Sequence, residues 1–182
     1  MRKAWHSVLV IAVAVAWAGA AGATSPVKDP QEVGQQAGMF VIDDVAGNKV
    51  SLEELLKKHD AVVLNFWGLR CGACIEEIPY LEAIRKKFAD RVLLLGVNVD
   101  GVDGAFLRGQ MVKAKISIGY TVIPDPDFKV VDRYKMTAAP LTVVIDSGGK
   151  VRYRHENFVP GDEKGLEEAV GKVLAEKATG AK

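Results

Sequence analysis

The chain has 182 residues, 49% of them hydrophobic and 26% charged, a length that suits one domain with a core of its own. Its 24 basic and 23 acidic side chains nearly cancel, which argues against nucleic-acid binding for want of an electrostatic footprint. The ordinary apolar fraction argues against a disordered or fibrous chain, and 2 cysteines are too few for a disulfide-dense scaffold.

Arg2 and Lys3 precede an unbroken apolar run, Val8–Ala18, and Ala21-Gly22-Ala23 fits the A-x-A cleavage pattern of a secretory signal peptide. The run is shorter than the roughly 20 residues of a membrane-spanning helix. The expectation is a signal peptide over 1–23, cut after Ala23, with an uncleaved N-terminal anchor as the alternative. No cysteine near the cleavage site could carry a lipid. Either way the domain is exported into an oxidising, periplasmic or otherwise extracytoplasmic compartment, and it meets the membrane only if the leader stays attached.

Residues 24–37, with their Pro, Gly and Gln, read as a linker ahead of one α/β domain over 38–178. Met39–Ile42 reads as a short strand, and Gly47-Asn48 as a turn. Ser51-Leu52-Glu53-Glu54 is a capping box that opens a short helix. His59 follows Lys57 and Lys58 at its C-terminal end, where cations are favoured. Ala61–Phe66, apolar and β-branched, suits a central parallel strand. A helix is expected over Cys71–Ala89, with Ile75, Ile78, Leu81, Ile84 and Phe88 forming a core-facing stripe and Pro79 kinking it. Val92–Val99 reads as a second buried strand. Ala105–Lys115 and Phe128–Tyr134 follow as helices, and Leu141–Asp146 and Lys150–His155 as a β-hairpin about Gly148-Gly149. Asp162 caps a last helix that reaches Lys177. The expected order β-α-β-α-β-α-α-β-β-α is a mixed sheet flanked by helices, with an N-terminal strand extension.

The chemistry concentrates at Cys71-Gly72-Ala73-Cys74, a CxxC between a buried strand and a helix. Backbone N–H groups and the dipole at a helix N-terminus favour an anion, so a thiolate there has a pKa below its free value of about 8.5. Cys71, at the start of the turn, is the expected attacking thiolate. Cys74, one turn deeper, is placed to resolve a mixed disulfide. Arg70 adds a neighbouring positive charge. A structural disulfide with so short a loop would stabilise little. A zinc site would need four ligands, and His59 and His155 are unsuitably spaced to complete one.

Asn65–Pro79, running N-F-W-G-L-R-C-G-A-C-I-E-E-I-P, resembles the active-site stretch of the TlpA/ResA-like thioredoxin family. Gly96–Asp100, Ala139–Asp146 with Gly149-Lys150, and Pro160–Glu163 add to the likeness, which spans Gly34–Lys177. The resemblance implies a thioredoxin-like fold and an exported thiol–disulfide oxidoreductase, often tied to cytochrome c maturation. It implies that Pro140 is a cis-proline facing the CxxC, so that the Ala139 main chain pairs with an extended substrate; a trans proline opening a strand is the alternative. It also implies that Glu77 is a partly buried acid near the dithiol, with a pKa raised by desolvation and a role in moving the proton of Cys74. The rival reading makes Glu77 an exposed helix carboxylate. Asn65 stands where cytoplasmic thioredoxins carry a buried aspartate. Trp67 matches an aromatic beside the site and is expected, like Arg70, to contact substrate; simple packing explains it almost as well. Arg70 departs from the family, which commonly has Trp there; it either tunes the thiolate or is a solvated surface residue.

The function expected is therefore reduction of protein disulfides, apocytochrome c among the candidate partners, by exchange at Cys71 and Cys74. No nucleotide-binding glycine fingerprint occurs. No cofactor or metal is expected, and electrons should come from a dithiol on a membrane thiol transporter. Three other readings compete. A peroxiredoxin-like enzyme would need proline at Leu64 and threonine at Gly68. A copper chaperone would use Cys71, Cys74 and His155, although His155 reads first as a surface residue. An oxidase or isomerase would share the fold, which does not set redox direction.

Overall fold

Seven-residue runs of β-branched and aliphatic side chains exclude water from both faces only at the centre of a sheet, and two such runs organise this chain. The structure, a computed structural model, describes residues 32–180. The expected leader and the first part of the expected linker lie outside those residues. The elements are β1 (Val41–Asp43), β2 (Lys49–Ser51), α1 (Leu52–Lys58), β3 (Ala61–Trp67), α2 (Gly72–Lys87), β4 (Val92–Asn98), α3 (Gly104–Ala114), β5 (Thr121–Pro124), α4 (Lys129–Arg133), β6 (Leu141–Asp146), β7 (Val151–Glu156) and α5 (Glu163–Thr179).

Five strands form a mixed sheet in the order β5-β4-β3-β6-β7. β3 is buried along its whole length and runs parallel to β4 and antiparallel to β6. Alternation along β3 divides the core in two. Val62, Leu64 and Phe66 pack with Leu95, Ile123, Tyr134 and Val143 on one face. Ala61 and Val63 pack with Leu94 and Val144 beneath Leu81 and Ile84 of α2 and Leu166, Val170 and Leu174 of α5 on the other. Each large aliphatic side chain buried in this way contributes about 1.5–3 kcal/mol. Among the described residues, no helix is long and apolar enough to cross a membrane.

Several expectations need correction. β2 and β5 were not anticipated: β2 is three residues long and exists through its pairing with β1, and β5 is an edge strand ended by Pro124. Half of the capping box forms. The Ser51 hydroxyl accepts from the Glu54 N–H at 3.4 Å, but the Glu54 carboxylate turns to Lys57 at 2.7 Å. Ile75 leaves the core stripe of α2, being 36% exposed. Asp162 stands at the N-cap of α5 without capping it, because its carboxylate is engaged by the Val159 N–H and by His155. The end of the expected linker belongs to the domain. The Gly34 N–H donates to the Val151 carbonyl at 2.7 Å, the Ala37 N–H donates to the Gly149 carbonyl at 2.8 Å, and the Ala37 side chain is buried.

Candidate active site

β3 ends at Trp67, and the antiparallel β6 begins at Leu141, opposite Phe66. The loop that follows β3 and the loop that precedes β6 therefore emerge side by side at one edge of the sheet. The first carries the CxxC. The second carries Ala139 and Pro140, joined by a cis peptide bond.

Cys71 and Cys74 form a disulfide with an S–S distance of 2.01 Å. Cys71 is the N-cap of α2 and its Sγ accepts from the Cys74 N–H at 3.2 Å. Cys71 is partly exposed whereas Cys74 is fully buried, packed with Trp67, Leu107 and Val122. The first turn of α2 holds no acidic residue, so nothing there offsets the attraction of the helix N-terminus for a thiolate. The loop is anchored from β4: the Leu69 N–H and the Asn98 Nδ2 both donate to Asp100 Oδ2, at 2.8 and 2.7 Å.

Glu77 is 4% exposed, beneath α2 and against the sheet. Its Oε2 accepts from Asn65 Nδ2 at 2.7 Å and its Oε1 accepts from the Thr142 hydroxyl at 2.8 Å; Asn65 Nδ2 also reaches Thr142 Oγ1 at 3.2 Å. Burial outweighs these hydrogen bonds and pushes the Glu77 carboxyl up to about 7, where one proton can be held or released near neutral pH. The exposed-carboxylate reading of Glu77 is therefore set aside by its burial.

The remaining candidates divide. Ala139 is partly exposed and packs against the same cluster as Cys74, and Pro140 is buried. Arg70 is exposed and has no ion-pair partner among the described residues. Trp67 is corrected. Its ring has no exposed surface, so it offers substrate no contact and instead floors the site beneath Cys74. Gly96 makes room for that ring, since a Cβ there would lie 3.1 Å from both Trp67 Nε1 and a Tyr120 ring carbon.

Thr142 and Asp100 escaped the sequence reading as site residues, and His155 entered it only as a copper-ligand candidate. Thr142 and Asp100 stand inside stretches quoted for the resemblance, but nothing in linear order shows that they reach Glu77 or the CxxC loop. His155 is half-buried, its Nε2 3.0 Å from Asp162 Oδ2. Among the described residues no three His, Cys, Asp or Glu side chains converge on a metal position, which leaves the copper reading without a third ligand.

A family model described as the AhpC/TSA family matches residues 33–154. Thiol-disulfide oxidoreductase ResA of Bacillus anthracis is 30% identical over 128 residues, which cover 68% of this chain and 69% of that protein. ResA of Bacillus subtilis is 32% identical over 125 residues, covering 68% and 67%. A crystal structure described as a thiol:disulfide interchange protein DsbE from Chlorobium tepidum matches with a TM-score of 0.70 at 27% identity, over 79% of this chain and 99% of that one. The dithiol loop, the mixed sheet and these relatives agree: the chain belongs to the AhpC/TSA family and is a thioredoxin-like thiol–disulfide oxidoreductase of the ResA type.

Proposed function

We propose that this oxidoreductase reduces disulfides of exported proteins, with Cys71 as nucleophile, Cys74 as resolving thiol and Glu77 as the acid that takes and returns the proton of Cys74. The observation that carries the reading is the unequal exposure of the two sulfurs: Cys71 reaches solvent at the tip of α2, and Cys74 does not. The Cys71 thiolate attacks one sulfur of the substrate disulfide, that S–S bond breaks, and the other substrate sulfur leaves as a thiolate. Cys74 gives its proton to the Glu77 carboxylate and attacks Cys71 Sγ. The mixed disulfide between Cys71 and the substrate breaks, its substrate sulfur leaves as a thiolate, the Cys71–Cys74 disulfide forms, and the substrate departs reduced by two electrons.

An extended substrate fits the loop at Ala139, whose backbone N–H and carbonyl have no hydrogen-bond partner among the described residues. The exposed Arg70 and Ile75 flank the dithiol in sequence and would meet the rest of the substrate surface. The leader-like N-terminus supports an extracytoplasmic, periplasmic location. An oxidising compartment then requires a membrane dithiol partner to recharge Cys71 and Cys74. The family resemblance makes apocytochrome c the first substrate to test.

The assignment predicts that Cys74→Ser traps mixed disulfides with substrate proteins, because the resolving attack is lost, while Cys71→Ser traps few. Non-reducing gels of both variants read the outcome. Equal trapping, or more trapping by Cys71→Ser, would overturn the assignment.

A further inference from the structure

The register of three strands places Asn65, Thr142 and His155 in one row across the sheet. Asn65 of β3 is the partner of Thr142 in β6, and Thr142 is the partner of His155 in β7. Register partners point to the same face, here the face covered by α2 and α5. The row begins fully buried at Asn65 and ends at His155, whose side chain is 37% exposed. Glu77 sits over the buried half, bonded to Asn65 and Thr142. Asp162 holds the outer end, accepting from the Val159 N–H while it pairs with His155. Glu77, Thr142, His155 and Asp162 line one small cavity of about 10 Å³, which is room for about one water molecule.

We propose that His155, oriented by Asp162, is a positioning residue that sets the charge on Glu77 across this cavity and thereby the pH at which the dithiol reacts. The inference rests on the reading of Glu77 as the proton partner of Cys74. The titratable and charged groups around Glu77 are Tyr80 on its own helix, Tyr120 ahead of β5, Tyr153 and His155 on β7, and Asp162 and Glu163 at the start of α5. Of these, only the imidazole of His155 can become a cation. Positive charge on His155 favours the Glu77 carboxylate, and the Asp162 carboxylate opposes it. Two sites that interact in this way lose their protons as a coupled pair. By linkage, each must shift the other by the same amount. A proton on the His155 imidazole stabilises the Glu77 carboxylate, and without it Glu77 faces Asp162 alone and holds its own proton more tightly.

The test is a pair of reciprocal titrations by NMR on the oxidised protein, following the His155 ring C–H and the Glu77 side-chain carboxyl carbon. Glu77→Gln should lower the midpoint of His155, and His155→Gln should raise that of Glu77, each by about half a pH unit or more and by equal amounts. His155→Asn should act as His155→Gln does, which guards against a local repacking artefact. A His155 midpoint that ignores Glu77→Gln would overturn the inference. The functional readout is the pH profile of thiol alkylation in the reduced protein, where the inflection abolished by Glu77→Gln should move to higher pH in His155→Gln. If Glu77→Gln leaves that profile unchanged, the role of Glu77 itself fails. If Glu77→Gln alters it and His155→Gln does not move it, only the role of His155 fails.

Discussion

Glu77 shows how one buried side chain ties stability to chemistry. Desolvation raises its pKa from an ordinary 4.5 to about 7, against hydrogen bonds from Thr142 and Asn65 that pull it down. Between those two values the folded protein keeps a proton that the unfolded chain has released. Stability contributed at this site is therefore present at acid pH and lost as pH rises toward and beyond the folded value. The expected result is that the stability of the protein relative to Glu77→Gln falls by about 3 kcal/mol between about pH 4 and pH 8, measured by chemical denaturation at each pH. A difference that stays constant across that range would show that folding does not raise the Glu77 pKa. The position of Glu77 three residues past Cys74 could be read from the sequence, whereas its burial was implied only by the family resemblance. Its bonding to Thr142 could not be read, because 65 residues separate the two and only the pairing of β3 with β6 brings them together. The sequence leaves Trp67 between substrate contact and packing for a related reason: aromatics beside a dithiol can lie over it or under it, and the room left by Gly96 in the neighbouring strand favours packing.

At the scale of elements, glycines report which faces are packed. Gly96 lies in buried β4, where an added Cβ would meet Trp67 Nε1 and Tyr120 at 3.1 Å. The Trp67 ring is fully buried and cannot move aside, so Gly96→Ala should destabilise by about 1–3 kcal/mol through overpacking. Gly109 lies in α3 with nothing within 4 Å of an added Cβ and an exposed surface. There the gain in helix propensity should dominate, and Gly109→Ala should stabilise by about 0.5–1 kcal/mol. Thermal melts of the two variants check opposite signs at one chemical change. The helix α2 holds a similar division of labour. Leu81 and Ile84 fasten it to the sheet, while Ile75, expected in that stripe, turns outward beside the dithiol. A 3.6-residue pattern identifies an apolar stripe but not where along it the sheet ends. At the first turn of α2 the sheet has already given way to loops.

For the whole molecule, the proposed reducing role makes a prediction in cells. If the protein is recharged from a membrane dithiol, alkylation trapping should find Cys71 and Cys74 largely reduced during growth, and oxidised once the transporter is deleted. A pool that stays oxidised in normally growing cells would favour the oxidase reading, toward which the exposed cation of Arg70 would push.

The sequence by itself determined the α/β class, the central strands, the helix that begins at the CxxC and the type of chemistry there. These follow from local patterns: hydrophobic period, turn residues and a dithiol at a strand-to-helix junction. The tertiary structure decided what depends on contacts between distant segments. It paired β1 with β2 and β4 with β5, two strands too short to stand on their own pattern. It drew Gly34–Ala37 onto β7. It buried Trp67, and it aligned Asn65, Thr142 and His155 beneath Glu77. Strand register carries that information, and register is fixed by how whole faces pack rather than by any residue's neighbours in the chain.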